Sequence, residues 1–213
     1  MRKIFLTCSL LFILSACSSQ PKIGKKLNPS MNDFEDLTSQ YNGAILKTSL
    51  GDIKFEFYNQ ASPQTVNNFL NLAAMDYYDN TKFHSVVRSF AIKGGDPNTR
   101  GSDRETYGAG GPNYSFADEI NDHKLKRGSI AMYNVSPDSN SSQFMIILHE
   151  NPDWLNGRNT NFGQAVDGFD VLSQIEKQKT DVRNCPVEDI ILQDVKLIKK
   201  SDSGGLFSKL FKR

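Results

Sequence analysis

The sequence has little net charge, few cysteines and no long apolar run. It carries 25 Lys and Arg residues against 24 Asp and Glu, a net charge of +1 over 213 residues, so no bulk electrostatic attraction to nucleic acid is expected. The three cysteines and three histidines have no metal-ligand spacing, and we expect neither a metal site nor a cofactor. The apolar run at residues 4–14 is shorter than the about 20 residues that cross a bilayer.

Two catalytic motifs are also missing. Residues 108–112 read Gly-Ala-Gly-Gly-Pro but lack the Gly-Lys-Ser/Thr ending of a phosphate-binding loop, so a surface loop is expected. No G-x-S-x-G segment marks a nucleophile elbow. Cys185 has no partner cysteine in the mature domain and is expected to be buried or a free thiol. His84 lies inside a predicted strand and is expected to be a structural histidine whose hydrogen bonds are satisfied.

The N-terminus has the pattern of a targeting segment. A basic pair precedes the apolar residues 4–14, which end in Ser15-Ala16-Cys17. This ending resembles a bacterial lipoprotein box, which implies cleavage before Cys17 and lipidation of its thiol and new amino group. Each buried methylene contributes about 0.8 kcal/mol, so several chains together anchor stably. The alternative is an ordinary secretory signal with an incidental cysteine. Ser18 favours the outer membrane by the sorting rule known for enteric bacteria.

Composition divides the chain into four parts. Residues 1–16 are predicted to be a lipoprotein signal peptide, and residues 17–41, rich in Ser, Lys, Asn and Pro, a lipidated N-terminus and flexible tether. Within this tether, Met31–Leu37 is compatible with a helical turn on the domain. Residues 42–200 form one domain. Residues 201–213 form a basic amphipathic tail, which suits a membrane-surface helix and equally a short helix docked on the domain.

Within the domain the patterns favour strands, with two helices. Ile53, Phe55 and Phe57 alternate with charged residues, which predicts a strand with one buried face. Ser62-Pro63 predicts the start of the first helix, with the serine as N-cap and proline at the first helical position.

A second helix is predicted after Gly168, and a last strand over residues 187–198. The alternation of that strand slips between Leu192 and Val195, which indicates a β-bulge.

Residues 81–97 read TKFHSVVRSFAIKGGDP. Their short apolar runs favour extended backbone, and the Gly-Gly-Asp-Pro sequence at the end terminates the strand. The pattern F-H-x-V-V-x-x-F-x-I-x-G-G-D-P resembles the signature strand pair of cyclophilin-type peptidyl-prolyl isomerases. The segments G-S-I-A-M, N-S-S-Q-F-M-I and W-L-N-G-R-N-T-N-F-G match further family motifs in order, so the resemblance covers about residues 44–198. It implies a mainly β fold, an eight-stranded antiparallel barrel capped by two α-helices.

The resemblance also implies a reaction and a catalytic group. Rotation about a peptide bond faces a barrier of about 18–20 kcal/mol, and a cation aimed at the prolyl nitrogen lowers it by drawing on the lone pair that gives the bond its double-bond character. The family places an arginine directly after the histidine, where this chain has Ser85, and a glutamine where it has Lys93. Arg88 is expected on the opposite face. We therefore expect Lys93 to supply the cation that Ser85 lacks. The alternative is that Lys93 is a solvated charge on its strand and that the groove only binds peptides.

The other groove positions carry over unevenly. Five match residues that the family uses to hold the proline and the peptide backbone, namely Phe90, Asn134, Gln143, Trp154 and Leu155. Four depart from the usual residue: Ala91 for Met, Met145 for Phe, Asn159 for His, and Tyr133 for a small residue.

Two functions follow. The first is a prolyl isomerase of reduced activity, monomeric and lipid-anchored in the bacterial envelope, acting on proline-containing segments of envelope proteins. The second is a catalytically inactive cyclophilin-like peptide-binding or scaffold module.

Overall fold

The computed structural model describes residues 28–203. Within them the strands are β1 (Tyr41–Thr48), β2 (Gly51–Phe57), β3 (Thr81–Lys82), β4 (Ser85–Val87), β5 (Ala91–Gly94), β6 (Ser129–Met132), β7 (Phe144–Ile147), β8 (Asn161–Asp167) and β9 (Ile191–Lys199). The α-helices are α1 (Pro63–Ala74), α2 (Phe169–Glu176) and a single turn, α3 (Lys200–Ser203). Short 3-10 helices lie at Met31–Asp33, Pro97–Arg100, Arg104–Thr106 and Asp153–Leu155.

All nine described strands belong to one antiparallel sheet, in the order β3-β9-β1-β2-β8-β6-β7-β5-β4. The two end strands, β3 and β4, are separated in the chain only by Phe83 and His84, so the sheet curls until its ends are covalently joined. The Phe83 N–H donates to Ile190 O on one side and the His84 N–H to Lys93 O on the other. The predicted count of eight strands is thus wrong by one, because residues 81–87 change pairing partner midway and form two strands.

The side-chain patterns behaved as expected at two places. Ile53, Phe55 and Phe57 on β2 are buried in the core. The predicted bulge in β9 is present, because Lys47 pairs with Asp194 whereas the next residue of β1 pairs with Leu192.

The start of α1 corrects the sequence prediction in its mechanism. Ser62 occupies the N-cap position, but its side chain makes no capping bond and donates instead to Asn161 O at 3.1 Å. The Glu119 carboxylate accepts from the N–H groups of Gln64 (3.0 Å) and Thr65 (2.7 Å). A carboxylate from a distant loop therefore caps the helix and complements its positive end.

The segment before β1 departs from the predicted tether where a helical turn on the domain was the alternative, with a 3-10 helix at Met31–Asp33. Leu37 is 1% exposed and belongs to the main core, its N–H donates to Asn67 on α1 at 2.9 Å, and the Glu35 N–H donates to Asn71 at 3.0 Å. Residues 30–41 are therefore docked on the domain and are not a flexible tether, since burial and backbone pairing fix them.

The main core lies inside the curled sheet and under α1. Phe69 of α1 packs its ring against Phe57, Tyr78, Phe144 and Phe162. In residues 28–203 no helix has the length and apolar character needed to span a bilayer. The predicted signal peptide with Cys17, and residues 204–213 of the predicted tail, lie outside the described residues.

Candidate functional site

Strands β5, β6 and β7 each present two different faces. Ile92, Phe144 and Ile146 point into the main core, whereas Ala91 and Met145, their neighbours in sequence, belong to a second apolar cluster. Since side chains alternate between the faces of a strand, this second cluster lies on the outside of the sheet. The barrel core thus fixes the strands, and their outer face is available for a site.

The second cluster gathers most of the predicted apolar groove residues. Ala91 and Met145 are buried in it, together with Leu125, Ala131 and Ile147. Phe90, Tyr133 and Leu155 pack against it while half-buried. The arrangement is an apolar floor with accessible rings at its edge, which suits the ring of a proline better than a charged side chain.

The two predicted catalytic residues stand opposite each other. Ser85 on β4 pairs with Lys93 on β5, and Lys93 pairs in turn with Met145 on β7. Directly paired residues share a face with Cβ atoms about 4.5–5.5 Å apart, so Lys93 lies between the serine and the apolar floor. Its Nζ lies 3.7 Å from the centroid of the Tyr133 ring, a cation–π contact. Arg88 donates to Lys177 O at the end of α2 (3.2 Å) and is not part of the row formed by Ser85, Lys93 and Met145.

The predicted backbone-gripping amides are engaged within the protein. The Nε2 of Gln143 donates to Gly108 O (2.9 Å) and Gly110 O (2.8 Å), so this side chain holds the glycine loop against β7. Asn134 donates to Asp118 at 2.9 Å, and Asn159 donates to Met132 O at 3.3 Å.

Asp118 organises this polar end of the site and was missed by sequence reasoning. Its carboxylate accepts from the side chains of Asn134 (2.9 Å) and Asn140 (2.8 Å) and from the Asp138 N–H (3.0 Å). No local motif in the sequence indicates that Asp118 fixes Asn134.

Trp154 is the most exposed of the predicted groove residues. It is 51% exposed on the 3-10 helix Asp153–Leu155 and meets His149 edge-on, with ring centroids 4.9 Å apart. Its neighbour Leu155 reaches the cluster and also lines a hollow of about 570 Å³ with Asn134 and Asn159. Leu155 therefore connects the apolar cluster to the Asn134 and Asn159 side of the groove, and Trp154 precedes it in the chain.

On the other side of Lys93 lies a cleft of about 390 Å³. Ser85, Lys93 and Tyr133 line it from the sheet; His84, Arg104, Tyr107, Gly108, Ala109, Arg183 and Cys185 complete the wall. Cys185 is a buried free thiol whose pKa is raised by burial. Arg104 and Arg183 had been overlooked, because no local motif marks a residue that long-range folding brings to a site.

The environment of His84 differs from the prediction that its hydrogen bonds are satisfied. It is 7% exposed, but its Nδ1 has no hydrogen-bond partner among the described residues. Burial lowers the pKa of His84 to about 4; Asp96 opposes the shift and Lys93 adds to it. His84 is therefore neutral at pH 7, and Lys93 is the cation at this point of the groove.

Comparison with known proteins agrees with this geometry. Residues 44–197 match the family model of cyclophilin type peptidyl-prolyl cis-trans isomerases. The chain is 38% identical over 157 residues to the peptidyl-prolyl cis-trans isomerase CYP18-2 of Arabidopsis thaliana, covering 72% of this chain and 92% of the relative. It is 40% identical over 148 residues to the isomerase ppi1 of Schizosaccharomyces pombe, covering 68% and 92%.

The fold has a solved counterpart. A cyclophilin type peptidyl-prolyl cis-trans isomerase of Cryptosporidium parvum superposes with a TM-score of 0.68 at 35% identity, covering 74% of this chain and 98% of that structure. The matched residues include the apolar floor, the Ser85–Lys93 row and the Asp118 network. The chain therefore belongs to the cyclophilin-type peptidyl-prolyl cis-trans isomerases.

Proposed function

We propose that this protein is a prolyl isomerase of the bacterial cell envelope whose catalytic cation is Lys93, and that it works more slowly than relatives carrying an arginine at position 85. The single observation that carries the proposal is the cross-strand pairing of Ser85 with Lys93. A cation absent from one strand is replaced by a cation on the residue directly opposite, on the same face of the sheet.

The position of Lys93 fits the task of an electrostatic donor. The side chain borders Met145 of the apolar floor, so it stands next to the place proposed for the proline ring. A donor already in place costs no reorganisation when the peptide bond twists, and this is how preorganised charge lowers a barrier.

Tyr133 accounts for the orientation of the lysine. Its ring packs on the apolar cluster and receives the Lys93 Nζ on its face, a contact worth about 0.5–1 kcal/mol when partly exposed. The tyrosine replaces a small residue of the family, and its ring holds the ammonium. An ammonium is a point charge and lacks the planar fork of a guanidinium, which supports slower catalysis.

The proposed location rests on the sequence. The basic pair, the apolar residues 4–14 and Cys17 have the order of a lipoprotein signal, so a lipid anchor at Cys17 would hold the domain at the membrane, on the periplasmic side and preferentially at the outer membrane. The proposed substrates are proline-containing segments of envelope proteins, met by a monomer. Labelled palmitate should enter the protein expressed in bacteria and should be lost in Cys17→Ala; labelling that survives this change would refute the anchor.

A second candidate function is a peptide-binding module without turnover. Ser85 favours it, since the arginine of the family is absent. It predicts peptide binding with no acceleration of isomerisation, whereas the isomerase predicts both.

Isomerisation of a standard proline tetrapeptide separates the two. We expect the parent, from Ser18 onward, to be active, Lys93→Ala to lose about a hundredfold in kcat/KM, the low end of what removal of one preorganised donor costs, and Ser85→Arg to gain. Lys196→Ala, an exposed lysine on β9, is the matched control. Unchanged activity in Lys93→Ala would mean that another group is the donor; an inactive parent that Ser85→Arg activates would identify a binding module.

A further inference from the structure

The cleft beside Lys93 is enclosed by two loops that the catalytic proposal does not use. Arg104 and Tyr107 come from the first loop, Arg183 and Cys185 from the second, and Ser85 forms part of the floor. The lining includes the cationic side chains of Lys93, Arg104 and Arg183 and no aspartate or glutamate. About 390 Å³ is ample for one amino-acid side chain.

The two arginines differ in how firmly they are held. Arg104 donates to Pro186 O (2.8 Å) and Val187 O (3.2 Å) and pairs with Asp189 (2.9 Å). These bonds tie the first loop to the second, so Arg104 shapes the wall of the cleft and has little capacity left for a ligand.

Arg183 is held by one ion pair only among the described residues, its Nη1 lying 2.8 Å from Glu105 Oε2. The arginine side chain is 45% exposed and the glutamate 81%, and pairs as exposed as this contribute little net stability. The backbone beneath is fixed, because Asp181 accepts from the N–H groups of Arg183 (2.8 Å) and Cys185 (3.0 Å). A rigid loop thus presents a guanidinium whose present carboxylate partner is easily exchanged.

We propose that this cleft is a specificity subsite for an acidic side chain close to the proline of the substrate, bound by Arg183 in place of Glu105. A guanidinium binds a carboxylate with two parallel hydrogen bonds, so exchange of one carboxylate for another retains the interaction. Glu105 is then an internal competitor that occupies the arginine when the cleft is empty.

The surrounding charges are compatible with this assignment. Asp189 is neutralised by Arg104 and by Lys82 (2.8 Å), and Asp181 is turned to backbone N–H groups. Asp96, fully buried, accepts from the Asn98 N–H (2.8 Å). None of these carboxylates lines the cleft.

The inference requires only that substrate peptides lie along the groove, and it does not depend on Lys93 being the catalytic donor. Binding is measured separately from turnover: Lys93→Ala tests catalysis, and variants of the Arg183–Glu105 pair test the subsite. A protein in which Lys93 proves dispensable for catalysis can still prefer acidic peptides. Conversely, a protein that needs Lys93 for catalysis can lack this preference.

The test uses fluorescent proline peptides that carry either Glu or Gln at each of the three positions before and after the proline, titrated with the full chain in mild detergent. At one or two adjacent positions the parent should bind the Glu peptide about threefold more tightly, the effect of one solvent-accessible ion pair. The preference should shrink as salt is added.

Two variants at exposed sites give opposite predictions. Arg183→Gln should abolish the preference for Glu, whereas Glu105→Gln should increase it by removing the competitor. Lys196→Gln, which removes a charge elsewhere, should leave it as in the parent. The proposal is overturned if no position prefers Glu, if Arg183→Gln retains the preference, or if Glu105→Gln weakens it.

Discussion

His84 should make the protein acid-sensitive through a single buried side chain. It lies at the junction between β3 and β4, 7% exposed, and its pKa of about 4 in the folded protein arises mainly from burial. In the unfolded chain a histidine titrates near 6.5. The unfolded state therefore takes up a proton at a pH where the folded state still excludes it.

The sign follows from this order of pKa values. Because the folded pKa is the lower one, the stabilisation is complete above pH 6.5 and is lost progressively as the pH falls from about 6.5 to about 4. At 1.36 kcal/mol for each pH unit of difference, the loss from this residue approaches about 3 kcal/mol. That is a large part of a typical unfolding free energy of about 5–15 kcal/mol.

Urea unfolding of the parent and of His84→Leu at pH 7.5, 6.0 and 4.5 measures the effect. Leucine cannot titrate, so the decline in unfolding free energy towards pH 4.5 should be smaller in the variant by about 2 kcal/mol or more. In Lys93→Gln the pKa of His84, followed by NMR, should rise, because the lysine charge contributes to lowering it. Parallel declines in parent and His84→Leu, or a His84 resonance that titrates near 6.5, would show that burial of His84 is not the source of acid sensitivity.

Two further predictions concern residues that the sequence alone did not mark. Glu119→Gln should lower the unfolding free energy by about 1 kcal/mol, as loss of a helix cap does, because its carboxylate holds two N–H groups of α1; a thermal melt against the parent checks this, and an unchanged Tm would contradict the capping role. Asp118→Asn should raise KM more than it lowers kcat, since Asp118 positions Asn134 and contacts no reacting atom; steady-state isomerisation kinetics check this, and a loss confined to kcat would contradict it.

Local patterns were enough for the elements whose side chains decide their own environment. The alternation of Ile53, Phe55 and Phe57 predicted a half-buried strand, and the broken alternation of β9 predicted its bulge. Both features depend on which residues face the core, and the residue types at neighbouring positions determine this.

The misses share a different cause. The capping of α1 by Glu119, the hydrogen bond of Leu37 to Asn67 on α1 and the split of residues 81–87 into two strands all depend on partners far away in the chain. No propensity or period within a short window specifies such a partner. The same holds for Arg183, which reaches the cleft only because the second loop is tied to the first through Arg104.

The pairing of Ser85 with Lys93 shows how the core determines which side chains face the groove. A strand shifted by one residue turns all its side chains to the opposite face, so Lys93 faces the groove only while Ile92 is buried in the main core. The buried pattern of β5 and β7 therefore fixes the site of the cation, whichever of the two paired positions carries it. A register slip of β5 by one residue would bury the Lys93 charge and expose the core.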